Sequence, residues 1–323
     1  MSRSAWAWAR LVGSPVILAV LVWRLGTSPF LAGLKAVDGR ALLAAATIFF
    51  LTTVCGAWRW TIVSRGLGVH LSLPAAVAAY YRAVFLNLML PGGVAGDVHR
   101  GVTHGREVHD VSGALRAVVW ERAAGQVVQA VLTISVLLVL PSPVRSSMPS
   151  VALAAAAVVL GVILVGRVTG RGGRSRWTRI RSAVVADVRN AVLRRSALPA
   201  ILFASALVFI GHAATFLVAA RAAGVDAPVS RLLPLALLAV LAMVLPSIGG
   251  WGPREGVTAW VFSVAGLGAE RGAATAVAYG VLVLAASLPG AILLAVGCLR
   301  GRRTSSTQSG RGIAFRPQGA ADA

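Results

Sequence analysis

The sequence predicts an all-helical polytopic membrane protein, with six full spans and two re-entrant or broken helical hairpins related as an inverted repeat. Three observations carry this. The 323-residue chain is 57% apolar, with a mean hydropathy of +0.80 and only 13% charged residues, against about 25% in an ordinary soluble domain. The tracts Ala41–Val63, Ala123–Leu140, Val151–Val165, Leu198–Ala220 and Ala273–Leu299 approach the roughly 20 residues a helix needs to cross a bilayer. Two Gly/Pro-rich breaks of similar composition interrupt the shorter tracts. Backbone groups in hydrocarbon must be satisfied internally, and the alternation of a membrane β-barrel is absent, so the spans are helices.

At the start, Arg3 and Arg10 precede the first apolar tract, Leu11–Gly26. No small-residue cleavage site follows cleanly and Arg24 interrupts the run, which predicts an uncleaved signal anchor. Pro74–Leu90, Leu232–Leu245 and Val257–Leu267 are too short or interrupted to span comfortably, and each touches a glycine-rich break. Basic loops face the cytoplasm. Arg167–Arg195, with nine Arg and one acid (Asp187), and the basic tail from Arg300 belong there; Pro141–Ser150, with Arg145 as its one charge, belongs outside. If every tract crossed, the basic Arg59–His70 and Asp97–Arg122 connections would face opposite sides. The conflict disappears if Pro74–Leu90 enters from the cytoplasm, breaks at Pro91 and returns, while Leu232–Leu245 and Val257–Leu267 form the matching hairpin from outside. Arg59 then counts among the cytoplasmic charges. The alternative is eight or nine plain spans.

These readings predict one integral membrane domain over residues 1–299, with halves at about 1–140 and 150–299 and a cytoplasmic Arg-rich loop at 167–195. A basic, disordered cytoplasmic tail at 300–323 would follow. Both termini are expected in the cytoplasm of a cell with the protein in its plasma membrane.

The formal charge of +21 comes from 30 Arg and one Lys (Lys35) against 10 acids. Nucleic-acid binding is not expected, because no soluble module presents that charge. Cys55 and Cys298 lie in apolar tracts, which predicts no disulfide or metal role. His99, His104 and His109 are five apart and share no helix face, so no metal site is expected. The sequence has no His-Glu-x-x-His, no phosphate-binding Gly-Lys-Ser/Thr loop and no Gly-x-Ser-x-Gly. A non-enzymatic chain without cofactor is the expectation.

The breaks read Leu90-Pro91-Gly92-Gly93-Val94-Ala95-Gly96-Asp97-Val98-His99-Arg100-Gly101 and Leu245-Pro246-Ser247-Ile248-Gly249-Gly250-Trp251-Gly252-Pro253-Arg254-Glu255-Gly256. Aligned without gaps, they match at the opening Leu-Pro and the closing Gly, and each holds a Gly-Gly, an Arg and one acid. Proline ends the preceding helix; Gly92, Gly93, Gly96, Gly249, Gly250 and Gly252 let the backbone turn and approach a ligand. The freed N–H groups of the next half-helix carry partial positive charge. An anionic group would fit there, with Arg100 and Arg254 as countercharges and bidentate contacts available to phosphate. Asp97, Glu121 and Glu255 would position the arginines or take up protons. Other polar residues at membrane depth are costly and face a cavity or a partner: Arg82 and Asn87 before the first break, and Arg122, Gln126 and Gln129 on one face of Ser112–Leu140. His212 reads as a packed histidine; the rival reading of Arg116, Glu121 and Arg122 makes them anchors at the cytoplasmic interface.

At Asn87, Leu90-Pro91-Gly92, Gly96-Asp97, Arg100 and Glu121-Arg122, and again at Leu245-Pro246, Gly249-Gly250-Trp251-Gly252 and Arg254-Glu255, the sequence resembles the flippase-like membrane domain family. This is the transmembrane region of lysylphosphatidylglycerol synthase/flippase proteins. The resemblance covers about Ala41 to Leu299, with Ala95 where Gly-Gly-Asp is usual. Nothing after Leu299 could bind an aminoacyl-tRNA, so lipid aminoacylation does not carry over. The resemblance implies a lipid translocase for an anionic phospholipid or a polyprenyl-phosphate-linked glycolipid headgroup. The rival expectation is a membrane subunit assisting a glycosyltransferase or lipid synthase partner.

Overall fold

The computed structural model describes residues 15–154, 156–157, 160, 176–243 and 251–309. Among these the regular elements are helices. In chain order they are α1 (Pro15–Leu25), α2 (Ser28–Lys35), α3 (Gly39–Gly66), α4 (Leu73–Met89), α5 (Ala95–Glu107), α6 (Val111–Val139), α7 (Arg176–Asp187), α8 (Leu198–Ala222), α9 (Val229–Ala242), α10 (Pro253–Val264) and α11 (Ala269–Ser309). A π-helical turn, Val188–Val192, continues α7.

Among the described residues, four helices are long and apolar enough to cross a membrane: α3, α6, α8 and Ala269–Gly297 of α11. They are four of the six expected spans. The first expected span is instead a bent pair, α1 and α2 at 102° to one another, which makes a fifth crossing if the pair counts as one. The bend has a local cause. Gly26 adopts φ +76°, which ends α1, and Pro29 restarts the helix in the first turn of α2. The remaining tract, Val151–Val165, falls largely outside the described residues, as do Arg3 and Arg10 of the expected anchor.

Side-chain placement is the reverse of a soluble protein's. Leu43, Phe50, Val127, Val139, Phe203, Ile210 and Ile292 face outward from the long helices, while Arg59, Arg100, Glu121, Arg254 and Glu255 are buried. An apolar exterior of this extent needs lipid as its solvent. The chain is a helical membrane protein.

Two short helical hairpins sit in the bundle. Helix α4 has 17 residues, about 25 Å at 1.5 Å per residue, short of a roughly 30 Å hydrocarbon core. It stops where Leu90 turns extended, and Gly92 and Gly93 at φ +92° and +63° reverse the chain into α5. The two helices run back along each other. Asn87 meets Gly96 and Asp97 near the tip, and Ala75, Ala78 and Ala79 lie opposite Arg100, Thr103 and His104 nearer the root. A Cβ on Gly96 would overlap the Ala83 carbonyl. Gly96→Val is therefore expected to splay the hairpin and cost about 1–3 kcal/mol, the usual penalty of overpacking; a fall in melting temperature of the purified protein checks it.

Helices α9 and α10 form the second hairpin, with Arg231 at the start of α9 donating to the Ala265 carbonyl just beyond α10. Its tip residues Pro246, Gly249 and Gly250 lie outside the described residues. The roots of the hairpins lie at opposite ends of α6. The first root adjoins the start of α6, where Val69 approaches Gly113. The second adjoins its end, where Pro141–Pro143 and Ser230, Arg231 and Ala265 line one surface depression.

The Arg-rich stretch expected as a loop is partly helical, α7 and its π turn, and it is anchored to the first root. Asp187 accepts from Arg116 Nη1 at 3.0 Å and from Trp120 Nε1 at 3.1 Å, and Ala191 packs against Gly66. Arg116 thus behaves as an anchor, though to a carboxylate of the chain. Helix α11 continues through Ser309, past the expected domain end at 299; residues 310–323 lie outside the described ones.

Candidate functional site

Asn87, the third-last residue of α4, closes the first hairpin with both ends of its amide. Its Oδ1 accepts from Gly96 N at 2.7 Å, and its Nδ2 donates to Asp97 Oδ2 at 2.7 Å. This places the Asp97 carboxylate in the first turn of α5, where the helix dipole favours it. From Asp97 a ladder of ion pairs crosses the bundle. Arg122 Nη1 binds Asp97 Oδ2. Arg100 donates to Asp97 Oδ1 through Nε at 3.0 Å and reaches Glu121 Oε2 through Nη2 at 2.6 Å. Arg59 closes the ladder, giving Nε to Glu121 Oε1 at 2.9 Å and Nη1 to Ser205 Oγ at 2.9 Å. Tyr80 donates to Glu121 Oε1 at 3.3 Å. Trp60 and Tyr80 sandwich the Arg100 guanidinium, each ring centroid 4.5 Å away.

Three arginines on this ladder face two carboxylates, so one positive charge is left over. The excess borders a cavity of about 140 Å³ lined by Arg59, Asn87, Asp97, Arg122, Gln126 and His212 among others. Arg122 is the most open of the three arginines, with 39% of its side chain exposed against 7% for Arg59 and 1% for Arg100. Gln126 and Gln129, one and two turns further along the same face of α6, extend the polar lining.

The second break builds a smaller version of the same device. Glu255, third residue of α10, takes Arg254 Nε on Oε1 at 3.0 Å and Gly252 N on Oε2 at 2.6 Å. Gly252 turns into the helix at φ +93°. The Arg254 guanidinium lies over Trp251 and Tyr279, 5.0 and 5.3 Å from their centroids. Tyr279 Oη stands 3.5 Å from His212 Nδ1, and His212 lines the cavity. The two breaks are thereby joined through Tyr279 and His212.

A family model described as the lysylphosphatidylglycerol synthase TM region matches residues 7–290. The chain belongs to that family. No curated protein and no solved structure matched it significantly.

In this member of the family, the expected residues divide by position. Asn87, Asp97, Arg122 and Gln126 line the central cavity, and Glu121 stands behind it. Arg82 does not join them. It lines a separate space on the root side of the first hairpin and donates to Ala78 O at 3.3 Å. Arg100 and Arg254, expected as countercharges for a ligand, are paired within the protein, Arg100 with Asp97 of its break and Glu121 of α6, and Arg254 with Glu255. The half-helix N–H groups expected to face a ligand are likewise taken, Gly96 N by Asn87 and Gly252 N by Glu255. Buried donors and charges are satisfied from within when partners are at hand.

Arg59 is the correction with most weight. Counted in the sequence as a cytoplasmic charge, it is buried inside α3 as the end of the ladder. Ser205 and Tyr279 also escaped notice, being single polar groups in apolar runs; His212 had read as mere packing and lines the cavity. The available signal was that each interrupts a span, as Glu121 does.

Proposed function

We propose that the protein is a lipid translocase of the flippase-like kind, in which the central cavity receives the headgroup of an anionic lipid while the acyl or prenyl chains stay in the bilayer. One observation carries the reading: the uncompensated positive charge of the Arg59–Glu121–Arg100–Asp97–Arg122 ladder borders a polar cavity inside an apolar bundle. A charge at this depth is expensive without a partner, and a phosphate would complete the pairing. The hairpins, entering from opposite ends, serve as the two halves of an inverted repeat around the cavity, in a plasma-membrane protein with cytoplasmic termini. Arg122 makes the contact with the headgroup; Asp97 and Glu121 hold the arginines; Gln126 and Gln129 bond the headgroup's uncharged groups. The role is transport rather than catalysis.

The test is headgroup movement of labelled phosphatidylglycerol in proteoliposomes. Wild type is expected to accelerate it well above protein-free vesicles. Arg122→Gln, which leaves the buried pairs of Arg59 and Arg100 intact, is expected to slow it at least tenfold, the loss of one charge-assisted contact. Equal rates in wild type, variant and empty vesicles would remove the proposal.

A further inference from the structure

A second, smaller cavity of about 80 Å³ lies against the first hairpin, on the opposite side of Arg100 from the central one. It is lined by Trp60, Arg82, His99, Arg100, His104 and Glu107 among others. Four nitrogens of that lining are buried with no protein partner: Trp60 Nε1, His99 Nδ1, Arg100 Nη1 and His104 Nε2. Trp60, Arg100 and His104 are each more than nine-tenths buried. Native proteins leave few such atoms, and here four belong to residues that line one small space.

Two of the four, the indole and guanidinium nitrogens, can only donate. The two imidazoles present donors when protonated, and His104 turns its other nitrogen, Nδ1, towards the Glu107 carboxylate at 3.7 Å. Arg82 supplies positive charge, and Arg100, paired on its other side with Asp97 and Glu121, offers its Nη1 as a donor; Glu107, on an exposed side chain at the rim, is the one acid lining the space. The volume suits two or three waters at about 30 Å³ each, or one tetrahedral oxyanion.

We infer that this cavity is an anion site for a phosphate group, held by Trp60 Nε1, Arg100 Nη1 and Arg82 and closed by His99 and His104. Arg100 is then a shared wall: Nε and Nη2 serve the ladder, and Nη1 serves the second site. The phosphate comes either from solution or from a lipid headgroup. The inference stands apart from translocation, because none of these contacts involves Arg122.

Titration calorimetry of the purified full chain in detergent, with inorganic phosphate as probe, tests it. Wild type is expected to bind. Measured in an Arg122→Gln background, which removes the central contact, Trp60→Phe and His104→Gln should each weaken the remaining phosphate binding about tenfold, the loss of one hydrogen bond to a charged group. Should Trp60→Phe fail to fold, Arg82→Gln, on a half-buried side chain, takes its place. Dihexanoyl phosphatidylglycerol that competes with phosphate marks the lipid as the source; phosphate binding without competition marks the free ion. Absence of phosphate binding in wild type, or equal binding in the Arg122→Gln background with and without Trp60→Phe (or Arg82→Gln) and His104→Gln, would overturn the site. Loss of transport in Arg122→Gln with phosphate binding retained separates this site from the translocation pathway.

Discussion

Glu121→Ala is expected to cost the protein about 3–5 kcal/mol, because it leaves two buried guanidinium groups without their shared carboxylate. Glu121 has no exposed surface and takes Arg59 on one oxygen and Arg100 on the other. Removing it strands Arg59 altogether, with Ser205 as a neutral partner only, and leaves Arg100 to Asp97. Thermal melting of the detergent-solubilised protein, followed by size-exclusion recovery, reads the loss. A charge explanation makes a further demand: Glu121→Ala with Arg59→Met should recover part of the stability, since the stranded cation is gone. A double variant no better than the single one would show that packing, rather than charge, sets the cost.

Glu255→Ala is expected to act with similar size at the other break, again about 3–5 kcal/mol for a buried pair broken from one side. Arg254 is 2% exposed and Glu255 not at all, and among the described residues Glu255 is the acid that meets Arg254. The carboxylate does double service, since it also takes the Gly252 amide that opens α10. Arg254→Met should be milder, because it leaves that amide bond in place and removes the cation together with its contacts to Trp251 and Tyr279. Comparison of the two melting temperatures checks the order. A milder Glu255→Ala than Arg254→Met would contradict the assignment of Glu255 as the partner that holds both.

The fold class was legible because hydrocarbon imposes it: tract length and apolarity mark α3, α6, α8 and α11. The first hairpin was legible for the same reason in reverse, since Pro91 and the glycines stop a tract too short to cross. The bend after α1 was not: the first tract ends at Gly26, and the short helix α2, with Pro29 in its first turn, has no tract of its own. Asn87, Glu121, Arg122 and Gln126 stood out by polarity at membrane depth and Asp97 by its place in the first break, and all five line or back one cavity. What the sequence did not reveal is how the charges pair. A guanidinium at a span's end reads as an anchor whether it faces water, as such residues do by default, or turns inward, as Arg59 does. Pairing across α3, α5 and α6 depends on helix packing, which has no local signature. Arg100 and Arg254 therefore looked like free cations, whereas Arg122 is the ladder arginine that lines the cavity with the most exposed side chain.

The central claim is that surplus charge at the ladder attracts an anionic headgroup. Native mass spectrometry of lipid retained from mixed phosphatidylglycerol and phosphatidylcholine micelles tests it most directly, across Arg122→Gln, wild type and Asp97→Asn. These carry no surplus, one positive charge and two at the ladder. The account predicts that the phosphatidylglycerol share rises in that order, with Asn87 still able to bond the asparagine. A share that stays flat across the three, or falls as the surplus grows, would contradict it.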